Sequence, residues 1–207
     1  MKAVVLNSGG FDSIVLLHYL KKVYEPEAEL YSLHFLYGAP NEKMQFICAE
    51  NCCKELGINS KIVKLPKIDW TQHDFYTGKQ FYTNPYLEWR NLIFLGYAAS
   101  YAESIGAEKI YVAFTNPADN RYPDTNLDFI NGLNYFLNLN GIDVDAPFIC
   151  DANRVTYHWG KYFGITDEDF FSCDSPVNEK PCGNCEKCKK IIDFHESKDY
   201  HNGVREI

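Results

Sequence analysis

The chain has 207 residues, 46% of them apolar and 15% aromatic, which suits one domain with a sizeable core. A formal net charge of -8 disfavours a broad nucleic-acid surface, since holding phosphate backbones takes clustered Lys and Arg. No apolar run approaches the ~20 residues of a membrane helix and no signal-peptide pattern opens the chain, so no membrane partner and a cytoplasmic location are expected.

In chain order, short apolar runs, three of them rich in β-branched or aromatic residues, predict strands over Lys2–Leu6, Leu30–Phe35, Lys61–Leu65 and Lys109–Ala113. Helical patterns fill the gaps over Asp12–Lys22, Glu42–Leu56 and Arg90–Ile105, the last two stopping at Gly57 and Gly106. Leu127–Leu137 and Arg154–Phe163 read as further helices, and Pro66–Pro85 as a long active-site loop or flap. Strand–helix alternation of this kind implies a doubly wound, Rossmann-like α/β domain with a largely parallel sheet. From Cys173 onward the chain is cysteine-rich and short of aliphatics, so residues 1–170 are read as the α/β domain and 171–207 as a metal-binding segment with a helix, packed on it. The short basic cluster there, Lys187 with Lys189 and Lys190, reads as a solvated helix face.

The first predicted strand runs into Ser8-Gly9-Gly10-Phe11-Asp12-Ser13 and then a helix. Glycines let backbone N–H groups turn inward, and a helix N-terminus adds positive potential, so this turn suits an anion. Ser8 and Ser13 can donate hydroxyls to phosphate oxygens; Asp12 would repel a bare phosphate, which leaves capping the helix or holding Mg²⁺. Asp12 and Ser13 are expected to face solvent at the helix start. There is no Gly-Lys-Ser/Thr, which excludes a Walker A loop. The alternative is a capped glycine turn with no ligand.

Eight cysteines without a secretion signal point to a reducing compartment, where thiols bind metal or pack. Cys48, Cys52, Cys53 and Cys150 lie among apolar positions and read as small buried thiols. Cys173 with Cys182-Gly183-Asn184-Cys185-Glu186-Lys187-Cys188 gives overlapping C-x₂-C units and a fourth thiol, a set that suits structural Zn²⁺. An iron–sulfur cluster and free thiols are the alternatives. Arg90-Asn91 opens one predicted helix, and Tyr122-Pro123-Asp124 precedes another, on loops that should meet the ligand crevice. Arg90 can bind a carboxylate or phosphate or be a helix-start charge; Asp124 can accept from a guanine-like base or be an N-cap.

Ser8–Ser13 resembles the SGGxDS signature of the PP-loop ATP pyrophosphatases, which implies ATP held on Asn7, Ser8, Gly9, Gly10, Phe11, Asp12 and Ser13 and cleaved between its α and β phosphates. From end to end the chain resembles the 7-cyano-7-deazaguanine synthase family. The motifs are that loop, Phe35 to Tyr37, RNxxFL (Arg90 to Leu95), YPD (Tyr122 to Asp124) and the PCGxCxxC array after Cys173. The resemblance implies ATP with Mg²⁺, ammonia and 7-carboxy-7-deazaguanine as reactants, Asp12, Ser13 and Arg90 in catalysis, and Tyr37, Arg90, Asn91, Tyr122 and Asp124 at the substrate. It further implies one Zn²⁺ on Cys173, Cys182, Cys185 and Cys188, and a homodimer is compatible with it.

The chain departs from the family's usual Tyr-Gly-Gln-Arg-His at Ala39, Pro40 and Asn41, and from its Gly-Tyr-Pro-Asp-Cys at Arg121 and Thr125. Asn153, beside Arg154, stands where the family has Lys. These changes leave room for a divergent member that joins the activated deazaguanine carboxylate to a protein amine, as relatives in antiphage operons do. A non-catalytic nucleotide-binding module and a tRNA thiolase are the remaining readings, the latter disfavoured by net acidity.

Overall fold

The computed structural model describes residues 1–66, 89–115, 123–150 and 152–197, without the side chains of 152–154. Five strands, β1 (Lys2–Leu6), β2 (Glu29–Leu36), β3 (Asn59–Lys64), β4 (Lys109–Tyr111) and β5 (Asp143–Asp145), form one sheet in the order β3-β2-β1-β4-β5. Every pairing is parallel. Parallel neighbours need crossovers, and α1 (Phe11–Tyr19), α2 (Glu42–Leu56), α3 (Arg90–Ile105) and α4 (Leu127–Leu137) lie between successive strands. The chain winds from β1 towards β3, then crosses back to β4 and β5. The strand order therefore reverses between β1 and β4, the place where open α/β sheets generally bind ligands, at the strands' carboxyl ends.

Both faces of the sheet are covered. Val5, Leu16, Leu17, Tyr111 and Phe148 share one buried layer, with Tyr157 of α5 (Ala152–Tyr162) and Phe194 of α6 (Glu186–Glu196). Val4, Leu33, Leu95, Ala98, Ile110 and Val144 form the other. The neighbours Val4 and Val5 enter opposite layers, as the two-residue period of a strand requires. Among the described residues no helix is long and apolar enough to cross a membrane.

Lys2–Leu6, Glu42–Leu56, Arg90–Ile105 and Leu127–Leu137 form as the sequence predicts. The first helix ends earlier than expected, at Tyr19, and Leu20–Tyr24 continues as a π-helical turn. β4 stops at Tyr111, although the Val112 N–H still donates to the Asp145 carbonyl at 3.0 Å. β5 is a strand the sequence reading lacks. The expected flap over Pro66–Pro85 lies, apart from Pro66, outside the described residues.

Candidate phosphate loop and metal knuckle

The chain leaves β1 at Asn7, a buried residue that organises the turn. Asn7 Oδ1 accepts from the Gly9 N–H at 2.9 Å and lies 3.3 Å from Ser13 Oγ. Its amide donates to Ser32 Oγ at 3.2 Å. The hydroxyls of Ser8 and Ser13 are 3.1 Å apart, and the Gly10 N–H donates to Ser8 Oγ at 3.2 Å. Gly9 has φ +77°, and a Cβ there would lie 1.9 Å from the Gln45 carbonyl oxygen of α2, so only glycine fits. Hydroxyls and N–H groups thus converge at the start of α1, where an incoming anion would exchange one set of acceptors for another.

Asp12 and Ser13 do not face solvent, contrary to expectation. Ser13 is buried, and Asp12 lies against Lys190 of α6, whose Nζ donates to both carboxylate oxygens at 2.8 Å. Burial alone would push the Asp12 carboxyl up, but Lys190, Lys187 and hydrogen bonds from Lys190 and Thr156 hold it below its usual range. Asp12 does not cap α1, whose N-cap is Gly10 without any side-chain bond. Lys190 is correspondingly not part of a solvated face, while Lys187 and Lys189 are exposed. Ser172 also lacks any motif, yet its Oγ accepts from the Phe11 N–H at 2.9 Å, and the Phe171 N–H donates to the Gly9 carbonyl at 2.9 Å.

Those two residues lead directly into the cysteine knuckle. The Sγ atoms of Cys173, Cys182, Cys185 and Cys188 all lie within 4.8 Å of one another. Two of the pairs, Cys182 with Cys188 and Cys185 with Cys173, stand at 4.0 Å. A tetrahedron with metal–sulfur bonds of ~2.3 Å has edges of about 3.8 Å, so the four thiols fit one ion. Backbone N–H groups of Cys182, Cys185 and Cys188 donate to Sγ of Cys173, Cys182 and Cys185; such bonds favour a thiolate, whereas burial pushes the Cys173 and Cys188 thiols up. At Cys182, N–H donors from Asn184 and Cys185 hold the thiol down to about 6. Gly183, at φ +75°, makes the turn between Cys182 and Cys185.

The remaining cysteines divide. Cys48, Cys52 and Cys53 are buried as expected, with burial pushing the Cys48 thiol up to about 11. Cys150 is exposed, against expectation: it follows the buried pair Phe148 and Ile149 just outside the core.

A second cluster gathers at the start of α3. Arg90 donates to the Tyr37 hydroxyl at 3.2 Å and stacks over the rings of Tyr37 and Phe94, 5.9 and 5.8 Å from their centroids. Its Nε is buried without a partner among the described residues. Asp124 is only 1% exposed; its Oδ2 accepts from the Asn91 N–H at 3.2 Å and its carbonyl from the Asn91 amide at 3.2 Å. The cap of α4 is instead Asn126, which accepts from the Phe129 N–H at 2.9 Å, so Asp124 caps a neighbouring helix rather than its own. Its Oδ1 is buried and without a partner among the described residues. Tyr37, Arg90, Asn91 and Asp124 therefore come together, whereas Tyr122 and Arg121 lie outside the described residues, as does the side chain of Asn153.

A parallel sheet wound on both sides, with this loop at its reversal point and a four-cysteine cluster behind it, defines an α/β protein of the PP-loop class. The fold is shared with the U34-tRNA thiolase NcsA from Methanococcus maripaludis, a structure described with its [4Fe-4S] cluster. That match has TM-score 0.52 and 15% identity over 95% of this chain and 64% of the other. An NH3-dependent NAD synthetase from Campylobacter jejuni matches with TM-score 0.50 and 16% identity, over 81% of this chain and 66% of the other. The chain belongs to the family described as queuosine biosynthesis protein QueC, whose family model matches residues 2–193. Among its relatives, the 7-cyano-7-deazaguanine synthase of Methanobrevibacter smithii is 28% identical over 97% of this chain and 98% of its own. That of Lysinibacillus sphaericus is 29% identical over 91% of each.

Proposed function

We propose that this protein is an ATP-dependent synthase that converts 7-carboxy-7-deazaguanine and ammonia to 7-cyano-7-deazaguanine. The observation that carries the reading is the convergence of Ser8 Oγ, Ser13 Oγ and the N–H groups of Gly9, Gly10 and Phe11 at the start of α1. The end-to-end family match supports the choice of substrate.

In this reading the loop cradles the β and γ phosphates of ATP, with Ser13 donating to them and Mg²⁺ arriving with the nucleotide. A carboxylate oxygen attacks the α-phosphorus, the bond to the β-phosphate oxygen breaks, and pyrophosphate leaves. Ammonia then adds to the acyl adenylate and expels AMP, giving the amide. A second ATP activates the amide oxygen in the same way, and loss of AMP with the amide protons leaves the nitrile. The protein's part is positioning and charge stabilisation. Arg90 orients the carboxylate or offsets polyphosphate charge, and its stack on Tyr37 and Phe94 forms one wall for a planar base. The Oδ1 of Asp124, unpartnered among the described residues, is the acceptor for the guanine-like N–H groups.

Zinc is the metal we assign to Cys173, Cys182, Cys185 and Cys188: four thiolates complete its tetrahedron, which makes it structural. Elemental analysis should return one zinc per chain; iron with inorganic sulfide would replace that assignment. Mass spectrometry after incubation with ATP, ammonia and 7-carboxy-7-deazaguanine should find the nitrile. A mass gain on a protein amine, with no nitrile, would move the acceptor from ammonia to protein.

A further inference from the structure

The ion pair between Asp12 and Lys190 puts a carboxylate and an ammonium inside the phosphate loop, at 13% and 18% side-chain exposure for Lys190 and Asp12. A carboxylate next to Phe11 and Ser13 would by itself repel the polyanion that the loop is shaped to hold. The cation that offsets it does not come from the α/β sheet but from α6, two residues beyond the metal ligand Cys188. Lys190 is fixed at both ends. Its Nζ holds both Asp12 oxygens, and its carbonyl accepts from the Tyr157 hydroxyl at 2.8 Å. Phe194, one turn further along α6, packs on Phe11 with centroids 4.6 Å apart. The knuckle thus reaches the loop by two arms: Ser172, before Cys173, and Lys190, after Cys188.

We propose that Lys190 is a positioning residue for ATP: by neutralising Asp12 and holding it against α6, it keeps the phosphate loop free of uncompensated negative charge. The proposal rests on the reading that ATP occupies this loop. A merely structural ion pair would lower stability and leave nucleotide affinity alone. A charge-compensating one changes affinity for the polyphosphate and not for the base, because a buried carboxylate without its partner repels the phosphates directly.

The test is calorimetric binding of a non-hydrolysable ATP analogue, alongside binding of 7-carboxy-7-deazaguanine and the metal content of each variant. Lys190→Met should weaken analogue binding at least about tenfold, or about 1.4 kcal/mol. Base affinity should stay within about twofold and the metal content unchanged, and Lys190→Arg should restore most of the loss. In Asp12→Asn/Lys190→Met the uncompensated charge is gone, and analogue binding measured without Mg²⁺ should recover towards that of the native chain measured in the same way. Native-like binding by Lys190→Met would overturn the proposal, as would a double variant that binds as weakly as Lys190→Met. If Lys190→Met does not fold, the charge-balanced double variant decides against the native chain: binding within about twofold of native supports the proposal, and binding at least about tenfold weaker overturns it. A native chain that binds no ATP analogue would defeat the parent reading and this inference with it.

Discussion

The side-chain amide of Asn41 donates to the carbonyl oxygen of Cys173, the first cysteine of the knuckle, at 3.0 Å, across 132 positions of sequence. Asn41 is buried at the N-cap of α2, where the family's usual motif ends in His. The departure at this position therefore has a structural role, tying α2 to the knuckle. Asn41→Ala should leave the Cys173 carbonyl unpaired and lower metal affinity by about tenfold, the low end for groups that orient a ligand. Competition with a chromophoric chelator measures this, and an unchanged affinity would show that the bond does not hold the ligand in place.

Gly9→Ala makes a steric prediction. Its φ of +77° is costly for any side chain, and the new methyl would lie 1.9 Å from the Gln45 carbonyl oxygen. Strain plus displacement of α2 should cost about 2–4 kcal/mol in urea denaturation. A variant as stable as the native protein would mean that the loop does not pack on α2 as described.

Two buried histidines set a pH dependence. His18 and His34 are both held below the ordinary imidazole value of 6.5, chiefly by burial. His34 Nδ1 stands 2.8 Å from the Asn7 carbonyl, and its Nε2 has no partner among the described residues. Burial favours the neutral rings in the folded protein, whereas the unfolded chain protonates them below 6.5. Their contribution is therefore complete above that value and is lost as pH falls through the lowered folded values. Denaturation between about pH 8 and about pH 5.5 should show stability falling on the acid side, by up to about 1.4 kcal/mol per pH unit for each ring. His34→Gln should flatten the slope; an identical slope in the variant would show that His34 titrates alike in both states.

The contrast between what the sequence discloses and what it hides follows from range. Glu42–Leu56 and Arg90–Ile105 are legible to the residue because Gly57 and Gly106 stop them. The loop and the cysteine array are legible because each is a contiguous pattern with local chemistry. Asp143–Asp145 is not, since one valine between two aspartates makes no apolar run; it becomes a strand by pairing with β4. Lys190 and Ser172 likewise carry no local sign. Their partners are 178 and 161 positions away, and a lysine on a polar helix reads as solvated until the fold brings its tip to Asp12. The two oxygens of Asp124, one capping α3 and the other without a partner among the described residues, are distinguishable only once α3 is in place.

That division of Asp124 gives a sharper variant than truncation. Asp124→Asn keeps one carbonyl oxygen for the Asn91 N–H and puts an NH₂ group where the free acceptor stood. Stability should change by less than about 1 kcal/mol, while affinity for 7-carboxy-7-deazaguanine should fall by a large factor, on the order of 10³–10⁴, with ATP-analogue binding intact. Equal binding of the base by both forms would remove Asp124 from the substrate site.

The most direct test of the central claim follows oxygen. With 7-carboxy-7-deazaguanine labelled by ¹⁸O in both carboxylate positions, turnover with ATP and ammonia should release AMP and pyrophosphate. Each AMP should carry one ¹⁸O, and two labelled AMP should appear for every nitrile formed. That label can enter AMP only if the substrate oxygen attacked the α-phosphorus. Unlabelled AMP, or ADP with orthophosphate in its place, would contradict adenylation on the Ser8–Ser13 loop.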